Sequence, residues 1–235
     1  SDLSLGGGVV LPAPEKTIYV FDEGHHLADK ALNHFRLEFG VRAQRQWLKQ
    51  LEQGVEQFVA ATGLPPSIMH SLQAAPEQCR ELNNHFNLLW PLAFDLLGER
   101  DRVRFEFGRI TENLRDLLHN IKAPLQPLLQ GLDKLNDMLQ ASLDTKGEGE
   151  FSLDIAESWQ APMGMMLARA EALWEAVTWM AAAEKEGELP VARWLSKTPF
   201  GEDWDIKLSA SPIAVADQLR KNLWSRCHGA VVTSA

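Results

Sequence analysis

Hydrophobic and polar positions along this chain alternate between two periods. Thr17-Ile-Tyr-Val-Phe21 is an apolar, β-branched and aromatic run that predicts a short buried strand. A loop of Gly6-Gly-Gly8 and Pro12-Ala-Pro14 leads into it. From Leu27 onward the spacing turns helical. Leu27, Ala31, Phe35 and Phe39 predict one helix, and Trp47, Leu48, Leu51, Val55, Phe58 and Val59 predict another over Val41 to Thr62, ended by Gly63-Leu-Pro-Pro66. A third helix opens at Pro76 and carries Leu82, Phe86, Leu89 and Trp90 toward Leu96. Arg102-Val-Arg-Phe-Glu-Phe107 alternates with period two and predicts an extended piece. A long helical pattern follows from Ile110 to Leu143, in which Pro124 and Pro127 should kink or interrupt the helix. Lys146-Gly-Glu-Gly-Glu150 predicts a loop, and Ile155 to about Glu186 a last long helix. Val191 to Leu195 and Trp204 to Leu208 predict a strand pair. Ser211-Pro212 predicts the cap and first turn of a helix running through Val215, Leu219, Leu223 and Trp224. Gly229-Ala-Val-Val232 predicts a final buried strand.

The two outer strands bracket a helical bulk and are expected to be neighbours in one sheet. Each ends in polar residues: Asp22-Glu23-Gly24-His25 after the first, Thr233-Ser234-Ala235 after the last. A carboxylate at the carboxyl edge of a sheet can hold a magnesium ion, and its neighbour can orient water for attack on a phosphate. The bland reading is a surface turn, and a single short motif does not exclude it. Two such ends on neighbouring strands make a stronger signal.

Composition narrows the rest. Hydrophobic residues make up 45% of 235, enough to build a core, and the net charge of −9 excludes a surface that binds nucleic acid wholesale. Nucleic-acid contact would need a local basic strip. Candidate groups are Arg36, Arg42 and Arg45; Arg102, Arg104 and Arg109; and Arg193, Lys197 and Lys207. Solvated helix faces account for most such groups, and the last two groups are favoured. Trp194 and Trp204 could stack on unpaired bases, or simply hold the strand pair down. The Met163 to Met180 stripe could form an adaptable groove but reads as core. Cys79 and Cys227 are too far apart to form a metal knuckle and point to a reducing cytosolic setting. Apolar stretches break well before membrane-spanning length, and there is no signal-peptide pattern. Adjacent Asp22, Glu23, His25 and His26 point in different directions and lack His-x-x-x-His spacing, against a metal-hydrolase site.

Asp22-Glu23-Gly24-His25 resembles the second helicase motif of DEAH type, and Thr233-Ser234-Ala235 the start of the third. With Ala216-Asp-Gln-Leu-Arg-Lys-Asn-Leu-Trp224 before it, the chain is similar to the DinG family of XPD-like superfamily 2 DNA helicases. In that family a helical arch domain separates the two motifs, which matches the roughly 200 residues between them here. The resemblance implies a mainly α fold: a helical arch-type insertion flanked by a few strands of an α/β motor lobe. Its expected boundaries are motor strand and motif over 1–26, arch-like insertion over 27–190, and strand pair, helix and strand returning to the motor over 191–235. It implies that Asp22 completes magnesium coordination, Glu23 positions the attacking water, His25 couples nucleotide state to other motifs, and Thr233 and Ser234 link hydrolysis to DNA movement; it gives His26 no role.

It further implies 5′ to 3′ unwinding of forks or R-loops in DNA repair, with ATP and Mg2+ as cofactors. Implied partners are single-stranded DNA and the rest of the motor, without a membrane, in a bacterial cytoplasm near the nucleoid. The family's 4Fe-4S cluster has no cysteine ligands in this sequence. No Gly-x-x-x-x-Gly-Lys-Ser/Thr loop is present, and neither is a second motor lobe with its arginine finger. Both ends look cut from something longer, so the chain alone is expected to hydrolyse no ATP. The alternative is a non-catalytic helical interaction module in which the Asp-Glu-Gly-His turn is coincidental.

Overall fold

A computed structural model describes residues 13–184, 189–214 and 216–234, apart from the side chains of Gln218 and Asn222. The Gly6-Gly-Gly8 loop, Pro12, Val215 and Ala235 lie outside the described residues, as does Glu186, but the last long helix already ends at Ala181, where Ala182 turns to φ −53° and ψ 135°. The order is β1 (Ile18–Phe21), α1 (Leu27–Phe35), β2 (Leu37–Gly40), α2 (Val41–Thr62), α3 (Pro66–Gln73), α4 (Ala75–Leu97) and β3 (Arg102–Arg104). Then come α5 (Glu112–Asp144), α6 (Leu153–Ala181), β4 (Val191–Phe200), β5 (Asp203–Pro212), α7 (Ala216–Leu219) and β6 (Gly229–Val232). The fold is mainly α, as the periodicity predicts. Contacts divide it into two units: residues 1–36, 184–192 and 210–235, and residues 37–183 with 193–209. Most of the β4–β5 hairpin therefore belongs with the helices.

In the helical unit the core is the seam between α5 and α6, flanked by α2, α3 and α4. Eight Leu and Ile side chains of α5, from Leu114 to Leu139, are essentially inaccessible. They meet Met163, Leu173, Val177 and Met180 of α6 in the same buried core. The methionine stripe is thus core, with Met165 exposed on the opposite side. Pro124 and Pro127 do not interrupt α5, which runs unbroken for 33 residues. A proline inside a helix costs about 3 kcal/mol. Each buried Leu or Ile contributes about 1.5–3 kcal/mol. With eight such side chains anchoring the helix, burial outweighs two prolines.

Two further expectations change. The pattern from Leu27 to Phe39 is not one helix: α1 ends at Phe35, Arg36 is extended, and Leu37–Gly40 is β2. Phe39 still reaches the core, edge-on to Phe86 with ring centroids 6.1 Å apart. Spacing by four satisfied a helix template, but pairing with β5 decides the backbone. Ser211-Pro212 caps no helix either; both finish β5, and α7 begins at Ala216. Cys79 is buried in α4, and burial pushes its thiol up to about 12, so it packs as an inert apolar group.

The helical unit carries a four-stranded sheet in the order β2-β5-β4-β3. The chain first enters this unit on β2 and finally leaves it on β5, and these strands are neighbours. Asp205 of β5, 1% exposed, closes the junction. Its Oδ1 accepts the amides of Arg42 (2.8 Å) and Ile206 (2.7 Å), and its Oδ2 accepts the amide of Ala43 (2.9 Å). It thus caps the N-terminus of α2 from across the sheet, where a negative charge also meets the positive end of the helix dipole. Gly40 is required there, because a Cβ would lie 2.4 Å from Asp205 Oδ2. Asp205→Ala leaves buried amides unpaired and should cost about 2–3 kcal/mol in urea unfolding followed by circular dichroism. Asp205→Asn, which keeps one acceptor oxygen, should fall between Ala and the unsubstituted chain. An Ala variant within about 0.5 kcal/mol of the unsubstituted chain would show that the cap is incidental.

Candidate functional site

In the other unit β1 and β6 pair in parallel, with Ile18 opposite Gly229 and Phe21 opposite Val232. Neither strand is buried as expected: Ile18, Val20, Val231 and Val232 are exposed, because among the described residues the two strands pair only with each other. Because the strands run the same way and end level, the polar residues that follow them meet at one edge. Phe21 is held edge-on to Trp224, 5.6 Å between centroids, and lies 6.1 Å from Tyr19. The backbone pairing continues past both strands. Thr233 N–H donates to the Phe21 carbonyl at 2.8 Å, and Gly24 N–H donates to the Thr233 carbonyl at 2.7 Å. This close approach needs glycine at position 24, since a Cβ would lie 2.2 Å from Val232 Cγ1.

Side chains then tie the two ends together. Asp22 Oδ1 accepts the Thr233 hydroxyl at 3.0 Å, across 211 residues of sequence, and the Glu23 amide at 2.9 Å. Two donors on one oxygen fix the orientation of the carboxylate. His25 Nδ1 lies 3.0 Å from Ser234 Oγ and 3.2 Å from Glu23 Oε2. A carboxylate only accepts, so a proton on Nδ1 is the state that serves both oxygens. His26, which the sequence leaves without a role, lies with its ring 4.0 Å from that of His25. Asp22, Glu23 and His25 are all exposed. A concavity of about 270 Å³ opens beside them, lined by Asp22, Glu23, Gly24, His26 and Lys30 among others.

The structure thus brings together Asp22, Glu23, His25, Thr233 and Ser234. Among the described residues no group of three or more His, Cys, Asp and Glu side chains could hold a metal ion by itself. A magnesium ion that keeps several waters and takes one or two carboxylates plus substrate phosphates needs no such group. An exposed, oriented Asp22 fits that requirement. Cys79, shut in the helical core, does not fit an iron–sulfur cluster.

The basic candidates separate sharply. Arg193 does not face outward as expected; it is 3% exposed and donates to the carbonyls of Trp179, Gly108 and Ala182 at 2.9, 2.8 and 2.7 Å. It closes the C-terminal end of α6, where a cation also suits the helix dipole. Lys207 pairs with Glu38 at 2.9 Å. Lys197 sits 4.5 Å over the Trp204 ring, and Trp204 packs against Trp90 and Phe94. Arg42 lies over Trp90 and pairs with Asp203, holding that carboxyl below the usual range. Arg45 reaches Asn83. Arg102 and Arg104 remain exposed on one face of β3, opposite Ser196 and Trp194.

Glu23 has φ 53° and ψ 46°, a left-handed conformation that costs a residue with a side chain about 1–2 kcal/mol. Nothing along the sequence signals this strain. Glu23→Gly should relieve it and stabilise the strand pair by about 1 kcal/mol. The readout is slower hydrogen exchange at the Gly24 and Thr233 amides; faster exchange would mean that the strain is supported by contacts of the carboxylate.

No protein-family model matches the chain. Across all of its length it is 30% identical, over 241 aligned residues, to the ATP-dependent DNA helicase DinG of Photobacterium profundum, and it covers 33% of that protein. The DinG helicase of Escherichia coli K12 is 28% identical over 96% of the chain, which covers 31% of it; that of Shigella flexneri matches to the same extent. No helix among the described residues is long and apolar enough to cross a membrane. The chain spans about a third of the length of the curated relatives it matches, and over its own length it is similar to the corresponding part of these DinG helicases.

Proposed function

We propose that this chain serves an ATP-dependent DNA helicase as the part that joins its second and third motifs through a helical arch. The observation that carries the reading is the side-chain tie between Asp22 and Thr233, with His25 beside Ser234. A hydrolysis motif must report its state to the part of the motor that grips DNA, and a direct hydrogen bond between the two motif ends can do so. When bound with ATP, magnesium would offset the charge of the phosphates. Asp22 would hold it, its Oδ1 fixed by the Thr233 hydroxyl. Glu23 would orient the attacking water from its constrained position at the strand end. His25, between Glu23 and Ser234, would carry any shift of the water-bearing carboxylate to the third motif. The phosphate cradle and the second motor half would come from sequence outside this chain.

Unwinding in the 5′ to 3′ direction and action on forks or R-loops in DNA repair belong to the same proposal, as does an iron–sulfur cluster held elsewhere. So does a location at the bacterial nucleoid. On the helical unit Arg102 and Arg104 are the cations best placed for backbone phosphates, with Lys197 next; Arg193 is committed to the fold.

In a polypeptide joining this chain to a phosphate-binding loop and second motor half, Glu23→Gln should lower magnesium-dependent ATP hydrolysis by about 100-fold or more. Hydrolysis at the unsubstituted rate would overturn the assignment. Replacing Arg102 and Arg104 with Ala should weaken single-stranded DNA binding and flatten its salt dependence by about 0.7 in log–log slope per lost phosphate contact. An unchanged slope across a salt series would remove β3 from the DNA path.

A further inference from the structure

Immediately after β3 an aromatic ring stands in solvent. Phe107 is 68% exposed, the most exposed aromatic side chain among the large hydrophobics on the described surface. Its backbone has φ 49° and ψ 23°, left-handed, a conformation that phenylalanine rarely adopts. The turn that carries it is rigid. Gly108 N–H donates to the Phe105 carbonyl at 2.9 Å and Arg109 N–H to the Glu106 carbonyl at 3.0 Å. From below, the buried Arg193 guanidinium grips the Gly108 carbonyl at 2.8 Å, and the Phe105 amide donates to the Arg193 carbonyl at 3.0 Å. The fold therefore commits a strained residue and a buried cation to a turn whose tip is an apolar ring in water.

The cations along β3 and beside that ring are not tied into the fold in the same way. Arg109 lies with its guanidinium carbon 6.0 Å from the Phe107 ring centroid. Arg102 and Arg104 are exposed and share one face of the edge strand, and Arg102 lies 5.8 Å over the ring of Trp194 on the neighbouring strand. Asp101 and Glu106 are the acidic residues interleaved with them. Charges on an edge strand can serve merely to prevent edge-to-edge pairing. That explanation covers the arginines and leaves Phe107 without a reason, because an exposed aromatic tip invites association.

We propose that Phe107 is a base-stacking residue for unpaired nucleic acid, with Arg102, Arg104 and Arg109 taking the flanking phosphates. Every base offers a π face, so such a contact needs no particular sequence. A phenyl ring already held outward loses little conformational freedom on stacking. The partner is a single strand rather than a duplex, since stacked base pairs present only their edges to a projecting side chain. The choice of nucleic acid over a protein surface rests on charge: Arg109 lies beside the ring, and the exposed Arg102 and Arg104 sit on the strand that leads into its turn, in a chain whose net charge is −9. This rests on the helicase reading only for the origin of the strand; the contact itself needs no ATP.

The test is fluorescence anisotropy with this chain, a short labelled oligothymidylate, and an abasic oligomer with the same phosphates. Phe107→Asn suits the left-handed backbone while removing the ring, so the chain should keep its melting temperature. It should bind oligothymidylate about tenfold or more weakly, with the abasic oligomer and the salt slope unchanged. Phe107→Trp should retain or improve oligothymidylate binding. Equal loss on both oligomers would assign the effect to fold or phosphate contacts, and unchanged binding in both variants would show the ring idle; either overturns the proposal. So would tighter binding of duplex than of single strand, or no binding of oligothymidylate at low salt. None of these outcomes bears on ATP hydrolysis, which depends on Glu23 in the other unit.

Discussion

A single buried carboxylate closes the helical unit. Asp205 sits where the chain leaves that unit and binds the backbone at the point where it enters, accepting two amides from the first turn of α2. A charge removed from water is tolerable only when its oxygens are satisfied, and here three amides satisfy them. The arrangement makes entry and exit adjacent, which lets a long helical segment be inserted into another fold without displacing it. Gly40 exists in this design to let the carboxylate reach the helix end.

The second constraint is the parallel register of β1 with β6. Parallel strands must be joined by a crossover, and here the joining segment is nearly the whole chain. The register matters chemically because it sets Phe21 level with Val232, which places Asp22 beside Thr233 and His25 beside Ser234. A slip of one residue would turn alternate side chains to the opposite face and separate these groups. Gly24 enforces the alignment from one side and the Thr233 backbone from the other.

The cations illustrate how differently one charge type is used. Arg193 and Arg115 both donate to carbonyls at the end of α6, Arg193 from full burial. Lys207 and Arg42 answer acidic neighbours. Arg102, Arg104 and Arg109 face solvent, Arg109 beside the Phe107 ring. Their positions relative to the sheet and its edge, rather than their abundance, separate the cations that anchor the fold from those left facing solvent.

Sequence alone determined what depends on neighbours along the chain. Periodicity marked α2 and β6 at their observed ends, located the cores of α4, α5 and α6, and singled out Asp22, Glu23, Thr233 and Ser234 by the abrupt end of two apolar runs. It misjudged Phe39 and Ser211-Pro212, because strand pairing overrides a local pattern that fits two templates. It misplaced Arg193, because alternation along β4 does not reveal which face is covered. Asp205, the strain at Glu23 and the outward ring of Phe107 left no mark in the sequence that could be read beforehand. Each is fixed by a partner far away along the chain or by a backbone angle, and only the tertiary structure sets those.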